Sequence, residues 1–290
     1  MEISSENVPI RNVPITYLDR LGIFKHEMPY EIEDNDFAII HNSDNNAIQT
    51  NCTCTPQNVT MIDMRGYHEE FSLYRNGFQV VDHQSALKGQ DFDDDELVQD
   101  VYYKEAEACV TQVINRPMET YVLNHQVTTL PDLRSVNQAK LSQRRRRDPE
   151  FPAGPVRDSQ PLRLAHCEDF APGGAQVAVD SIVSENPHLN SIPNQVLNVW
   201  RVTSGPNNDW PLAICDYRSI DLKNDIEECD RIRLSGGVTR SVREHRWYFL
   251  AEQTTTELFV FANCDSRGYN VPFAPHAAFN FLPDTEKPPQ

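Results

Sequence analysis

Five strand-like runs follow one another at short spacing in the second half of this chain, at residues 196–203, 212–220, 246–251, 258–262 and 273–281. Clusters of Gly, Pro, Asp and Asn separate them. Strands joined by turns rather than by helices form sandwiches or barrels. That pattern constrains the fold more than any other feature. It predicts a mainly β protein with flanking helices, its core spanning residues 118–282.

The first 117 residues read as an N-terminal arm, a hairpin and a supporting helix, all within one domain spanning residues 1–290. Residues 61–85 alternate, and Asn76-Gly77 is a hairpin-type turn signal. Residues 91–112 are the clearest helix. Asp93-Asp94-Asp95-Glu96 puts negative charge at its start, where the helix dipole favours it. The acidic run lacks the alternating ligands and central Gly of a calcium loop. Residues 118–129 read as a further strand and 175–183 as a short helix. Residues 130–160, which carry Arg144-Arg145-Arg146-Arg147, Pro149, Pro152 and Pro155, read as a long surface connection or lid.

A formal net charge of −17 argues against a nucleic-acid or anionic-lipid partner. No run of about 18 apolar residues is present, so no membrane span is expected. The N-terminus lacks a basic segment followed by an apolar one, so no signal peptide is expected and a cytoplasmic location is. The seven cysteines then read as reduced thiols. Cys52-Thr53-Cys54 has no second pair to complete a zinc site.

The chemistry centres on Pro161–Pro172. There an alternating run through Leu162 and Leu164 delivers His166 and Glu168 two residues apart, on one face of a strand. An imidazole and a carboxylate so placed can bind one metal ion from one side. A second histidine from elsewhere in the chain would complete the two-His-one-carboxylate face of non-haem Fe(II) oxygenases. His245 and His276 are the candidates in the strand-rich half. His245 lies in His245-Arg246-Trp247-Tyr248, where a packed structural histidine is the plainer reading. His276 follows a bend rich in Gly, Asn and Pro that could aim a side chain into a cavity. No Gly-x-Ser-x-Gly elbow and no Gly-rich phosphate loop occurs, which argues against a hydrolase triad and a nucleotide-dependent transferase.

A set of words in fixed order then carries a family resemblance. They include Asp63-Met64-Arg65-Gly66, Asn76-Gly77-Phe78-Gln79-Val80-Val81, Asn198-Val199-Trp200-Arg201, Cys215-Asp216-Tyr217-Arg218-Ser219, His245-Arg246-Trp247-Tyr248-Phe249 and Pro275-His276-Ala277-Ala278-Phe279. The chain resembles a group of small fungal and bacterial oxygenases similar to gibberellin desaturase and to the hydroxylase/desaturase proteins of fungal metabolite clusters. The resemblance implies a double-stranded β-helix (a jelly-roll, cupin-like fold), Fe(II), 2-oxoglutarate and O₂, with the protein positioning the reactants and excluding water.

Carried over, the metal ligands fall on His166, Glu168 and His276. The family usually has Asp and reaches its Pro one residue sooner, so Asp169 is the alternative carboxylate and His245 the alternative histidine. The i+2 spacing favours Glu168. The far carboxylate of 2-oxoglutarate calls for an Arg. None follows His276, which leaves Arg201 and Arg218, with Arg246 third. Within the group the chain looks most like aziridine-forming oxygenases acting on a small aliphatic amino acid in secondary metabolism. Such a substrate needs an apolar wall, expected from Phe170, Trp200, Trp210, Phe273 and Phe279. The alternatives are a desaturase or hydroxylase of a terpenoid acid and a metal-free jelly-roll binding protein.

Overall fold

The computed structural model describes residues 10–32, 50–123, 125, 162–168, 180, 182–207, 209–232, 238–241 and 245–281. Among these, the strands are β1 (Ile10–Leu18), β2 (Tyr30–Ile32), β3 (Cys54–Asp63), β4 (Phe78–Asp82), β5 (His166–Glu168) and β6 (Gln195–Trp200). β7 (Leu212–Cys215), β8 (Glu227–Ile232), β9 (Val238–Ser241), β10 (Trp247–Phe249), β11 (Glu257–Asp265) and β12 (His276–Ala278) follow. They form a large sheet ordered β1-β3-β10-β7-β12-β5-β9-β8-β2 and a small one ordered β4-β11-β6. Pairing is antiparallel except for β10 with β3 and β2 with β8. No helix among the described residues is long and apolar enough to cross a membrane.

The two sheets enclose an inner core. Phe259 and Phe261 of β11 and Phe78 of β4 meet Leu212 and Ile214 of β7 and Tyr248 of β10 there. Every residue of β11 is buried. Its alternate side chains, Leu258, Val260, Ala262 and Cys264, turn the other way and pack with Cys109, Val110 and Ile114 of the helical layer. A strand covered on both faces has no polar side to show, which is why its middle, Leu258–Ala262, is apolar on both.

The helical layer lies where the acidic start predicts it, though it is not one regular helix. A 3₁₀ turn (Gly89–Asp93) leads into α-helical residues Asp95–Leu97, then a π turn (Val98–Tyr102), then the helix Tyr103–Ile114. Asp94 caps the start, its carboxylate accepting from the backbone N–H of Glu96 and Leu97 at 3.0 and 3.1 Å.

Three expectations are corrected. The first 117 residues are not only arm and support, because β1 and β3 belong to the large sheet and β4 to the small one. β1 pairs with β3 from Ile10↔Ile62 to Leu18↔Cys54. It contains Pro14, which an edge strand tolerates because only one side needs ladder N–H groups. Asn76-Gly77 does not turn a hairpin: Leu73–Asn76 is a short helix, and Gly77 ends it at φ 87°. Residues 118–123 form no strand. Residues 126–161 lie outside the described residues, as do 175–179, although Asp180 and residues 182–185 are helical.

Candidate metal centre

β5 is three residues long and enters the large sheet between β12 and β9. Its register sets His166 directly opposite His276 on β12. The same cross-strand row continues from His276 to Ile214, from Ile214 to Tyr248 and from Tyr248 to Ile62, with Ser241 on the far side of His166. Residues paired in one row share a face of the sheet. Here that face looks into the inner core, because Ile214 and Tyr248 are members of it.

The two imidazole centroids are 4.4 Å apart, and His276 also meets the Phe261 ring at 4.6 Å. Both histidines are buried, at 5% and 8% relative exposure. The Nδ1–H of His166 donates to the Leu164 carbonyl at 2.7 Å and that of His276 to the Ala274 carbonyl at 3.2 Å. A carbonyl can only accept, so in both rings Nδ1 carries a proton. This backbone anchoring is what orients metal-ligating histidines. Burial, and then the neighbouring His166, hold the pKa of His276 well below the ordinary histidine value. Two imidazoles paired on one inward face of a sheet suit a divalent transition-metal ion.

Glu168 closes β5, with Thr239 as its register partner. Strand alternation puts position 168 on the same face as position 166. Asp169 lies outside the described residues. Among the described residues no three His, Cys, Asp or Glu side chains cluster. His245 is elsewhere engaged: its side chain is fully buried and its Nε2 lies 3.1 Å from Asp225 Oδ2.

The arginines separate clearly. Arg201, one of the two expected cosubstrate ligands, sits in the helical layer, its Nη2 2.9 Å from His83 Nδ1 and its guanidinium 4.9 Å from the Tyr102 ring. One residue beyond β6, it has the parity of Leu197 and Val199, which face the helices. Arg218 instead grips the fully buried Asp216 with two hydrogen bonds, Nε to Oδ1 at 3.0 Å and Nη2 to Oδ2 at 2.6 Å. Arg246 Nη2 reaches the same carboxylate at 3.7 Å. Continuing the register that pairs His276 with Ile214 sets Asp216 opposite Ala274, whose carbonyl anchors His276. Tyr248 lies within this charge cluster. Burial and then Asp216 push its hydroxyl pKa up, against the pull of Arg246 and Arg218.

Two cations on one buried carboxylate leave a net positive patch one strand from His276. The Asp216-x-Arg218 spacing is visible in the sequence, but nothing in it marks Asp216 as the hub. Of the aromatic residues expected as an apolar wall, Trp200 packs against the inner core. Phe273 lies in the helix-side cluster and Phe279 on the outer face of the large sheet. Trp210 carries the Arg163 guanidinium 4.1 Å from its ring centroid, and Phe170 lies outside the described residues. Phe259, Phe261 and Tyr248 are aromatic members of the inner core beside Trp200.

A family pattern, YDMC, described as Oxidoreductase/YMDC permease-like domain, matches residues 25–290. The chain is 27% identical over 254 residues to the Fe(II)/2-oxoglutarate-dependent dioxygenase nvfI of Aspergillus novofumigatus, covering 83% of this chain and 82% of that one. It is 26% identical over 211 residues to the alpha-ketoglutarate-dependent dioxygenase tstK of Talaromyces stipitatus, covering 70% and 69%. It is 28% identical over 246 residues to the alpha-ketoglutarate-dependent dioxygenase phiK of a fungal species, covering 80% and 79%. The solved structure of the iron and alpha-ketoglutarate-dependent endoperoxidase NvfI superposes with a TM-score of 0.68 at 20% identity, over 97% of this chain and 94% of that one. The fold is thus that of a known oxygenase.

Proposed function

The chain belongs to the oxidoreductase family whose pattern spans residues 25–290, and on that premise we propose that it is an Fe(II)- and 2-oxoglutarate-dependent oxygenase with a jelly-roll core. The observation that carries this reading is the placement of His166 opposite His276, each with Nδ1 tied to a backbone carbonyl. Relatives named as Fe(II)/2-oxoglutarate dioxygenases support it.

In this reading His166, His276 and Glu168 hold the metal. Fe(II) with 2-oxoglutarate and O₂ supplies the oxidation of an unactivated C–H bond, coupled to decarboxylation of the cosubstrate to succinate. The protein contributes position and exclusion of water. Leu164 and Ala274 hold the imidazole protons on Nδ1. Arg218, steadied by Asp216, offers a forked cation to the far carboxylate of the cosubstrate, and Arg246 adds charge beside it. Phe259, Phe261, Tyr248 and Ile214 keep the space between the sheets apolar.

The substrate we propose is a small aliphatic amino acid such as valine or isoleucine, oxidised by hydroxylation, desaturation or aziridine ring closure. The compact aromatic wall and the family resemblance support that class. Anaerobic titration with Fe(II) and 2-oxoglutarate should develop the weak visible metal-to-ligand band. Succinate release should then follow addition of free aliphatic amino acids in the presence of O₂. Release with terpenoid acids alone would replace the amino-acid reading by the gibberellin-desaturase-like one. No band at all would leave the metal-free binding protein.

A further inference from the structure

Opposite the histidines, the small sheet carries an amide pair that metal and cosubstrate binding leave without a task. On β11, Phe259 and Phe261 face the inner core, while Ala262 and Cys264 both face the helical layer. Asn263 between them therefore points inward. It is the extra residue of a bulge, because the register moves from Ala262↔Leu197 to Cys264↔Val196. Bulges re-aim side chains and are common beside active sites. Across the ladder, Asn198 pairs with Phe261 and shares the inward face of Trp200. The two amides meet: Asn263 Nδ2 donates to Asn198 Oδ1 at 3.2 Å. Asn263 is 2% exposed, and its Oδ1 is buried without a hydrogen-bond partner. Phe261, two residues before Asn263 on the same strand, meets the His276 ring at 4.6 Å.

A buried acceptor left unsatisfied is costly and calls for an explanation, and a ligand that brings a donor would satisfy it. The kind of ligand follows from the polarity. The open atom is an acceptor, so its partner must bring an N–H or O–H donor. 2-Oxoglutarate brings two carboxylates and a ketone, all acceptors, and cannot satisfy it. The donor belongs to the substrate.

We propose that Asn263, braced by Asn198, positions the substrate by accepting a hydrogen bond from an amino or hydroxyl group next to the carbon that is oxidised. The inference rests on the oxygenase reading and adds a requirement to it. The large sheet holds the cosubstrate pole at Arg218, and the small sheet holds the substrate's donor. A neutral amide takes an ammonium or a hydroxyl without demanding a full countercharge.

The test uses the full chain with Fe(II) and 2-oxoglutarate under anaerobic conditions, reading the change in the visible band on adding each of three probes. L-Valine carries an ammonium, 2-hydroxyisovalerate a hydroxyl, and isovalerate neither. The wild type should respond to the first two at about tenfold lower concentration than to isovalerate. Asn263→Ala should lose that preference while its affinity for 2-oxoglutarate stays unchanged. Asn263→Asp keeps an acceptor and should keep the preference, and thermal melts confirm that each variant is folded. Equal preference in Asn263→Ala and wild type would make the pair structural and overturn the inference, with the oxygenase reading intact. So would weakened 2-oxoglutarate binding in Asn263→Ala, or a wild type with a normal band that ignores all three probes. Absence of the band itself would instead remove the oxygenase reading, and this inference with it.

Discussion

His166 and His276 face each other as register partners across β5 and β12, their ring centroids 4.4 Å apart, though they come from well-separated parts of the chain. Two side chains on adjacent strands of one sheet are held by the ladder itself, so the pair needs no loop to assemble it. His166→Ala and His276→Ala should each abolish stoichiometric Fe(II) binding, measured as metal content of the purified variants. His245→Ala should keep the metal. It removes one partner of the mostly buried Asp225, which keeps the Asp221 backbone N–H, and should cost about 1–3 kcal/mol of stability. Metal lost from the His245 variant but kept in the His276 variant would reverse the assignment.

The two arginines expected at the cosubstrate make opposite predictions. Arg218→Met should weaken 2-oxoglutarate binding at least about tenfold, since a forked ion pair to a carboxylate is a strong contact. Arg201→Met should leave that affinity unchanged. It should instead lower the melting temperature, because the guanidinium packs on Tyr102 and reaches His83. Anaerobic 2-oxoglutarate titrations of both variants check this, and weakened binding in the Arg201 variant alone would return that residue to the site.

What the sequence makes legible follows from local periodicity. The His-x-Glu step on a strand can be read because period 2 puts both residues on one face. The cores of β6, β7, β10 and β11 can be read because they are apolar runs bounded by turn residues. β8 and β9 cannot: Glu-Glu-Cys-Asp-Arg-Ile is mostly charged and Val-Thr-Arg-Ser has one apolar residue, and only pairing with β5 and β2 makes them strands. The same holds for β1 and β3, which find each other across a separation no local pattern encodes. Arg201 escapes the sequence for a smaller reason. One position past a strand decides which layer a long side chain enters, and the sequence does not say where the strand ends. The Asn198–Asn263 pair is invisible there because a bulge creates it.

Arg65 and Glu257 make a testable contribution to acid stability. Burial alone would raise the Glu257 carboxyl pKa, but hydrogen bonds from Arg65 and the Thr254 backbone hold it below the ordinary value. Arg65 Nη1 meets Oε1, Nη2 lies 3.2 Å from Oε2, and Thr254 N–H donates to Oε2 at 2.8 Å. A carboxylate depressed in the folded state stabilises the protein above its unfolded pKa, near ~4.3 for Glu. That stability is lost as pH falls through the lower native value. Glu257→Gln should therefore be less stable than wild type at neutral pH, with the gap closing below about pH 4. Denaturation midpoints from neutral pH down to about pH 3 measure it, and a gap that widens on acidification would contradict the sign.

A run of hydrogen bonds connects Gly77 to the candidate metal centre, and it can be strained at its far end. Ala262 N–H donates to the Gly77 carbonyl at 2.9 Å, and Ala274 N–H to the Ala262 carbonyl at 2.8 Å. The Ala274 carbonyl then accepts the Nδ1–H of His276. Gly77 has φ +87°, and a Cβ there would lie 2.3 Å from the Phe273 carbonyl oxygen and 2.4 Å from its carbon. Those are backbone atoms of the segment leading into β12, so the overlap cannot be relieved by a side-chain rotation. Gly77→Ala should cost about 3 kcal/mol or more, combining left-handed strain with overpacking. It should also weaken Fe(II) binding, because the Phe273–Ala274 segment must move and His276 loses its anchor. Gly66 is the control: it has φ +91°, and a Cβ there would meet nothing within 4 Å. Gly66→Ala should show only the conformational cost, about 1–2 kcal/mol, with Fe(II) affinity unchanged. Thermal melts and Fe(II) titrations of the two variants separate strain from site disruption, and equal Fe(II) affinity in both would break the proposed link between the Gly77 turn and His276.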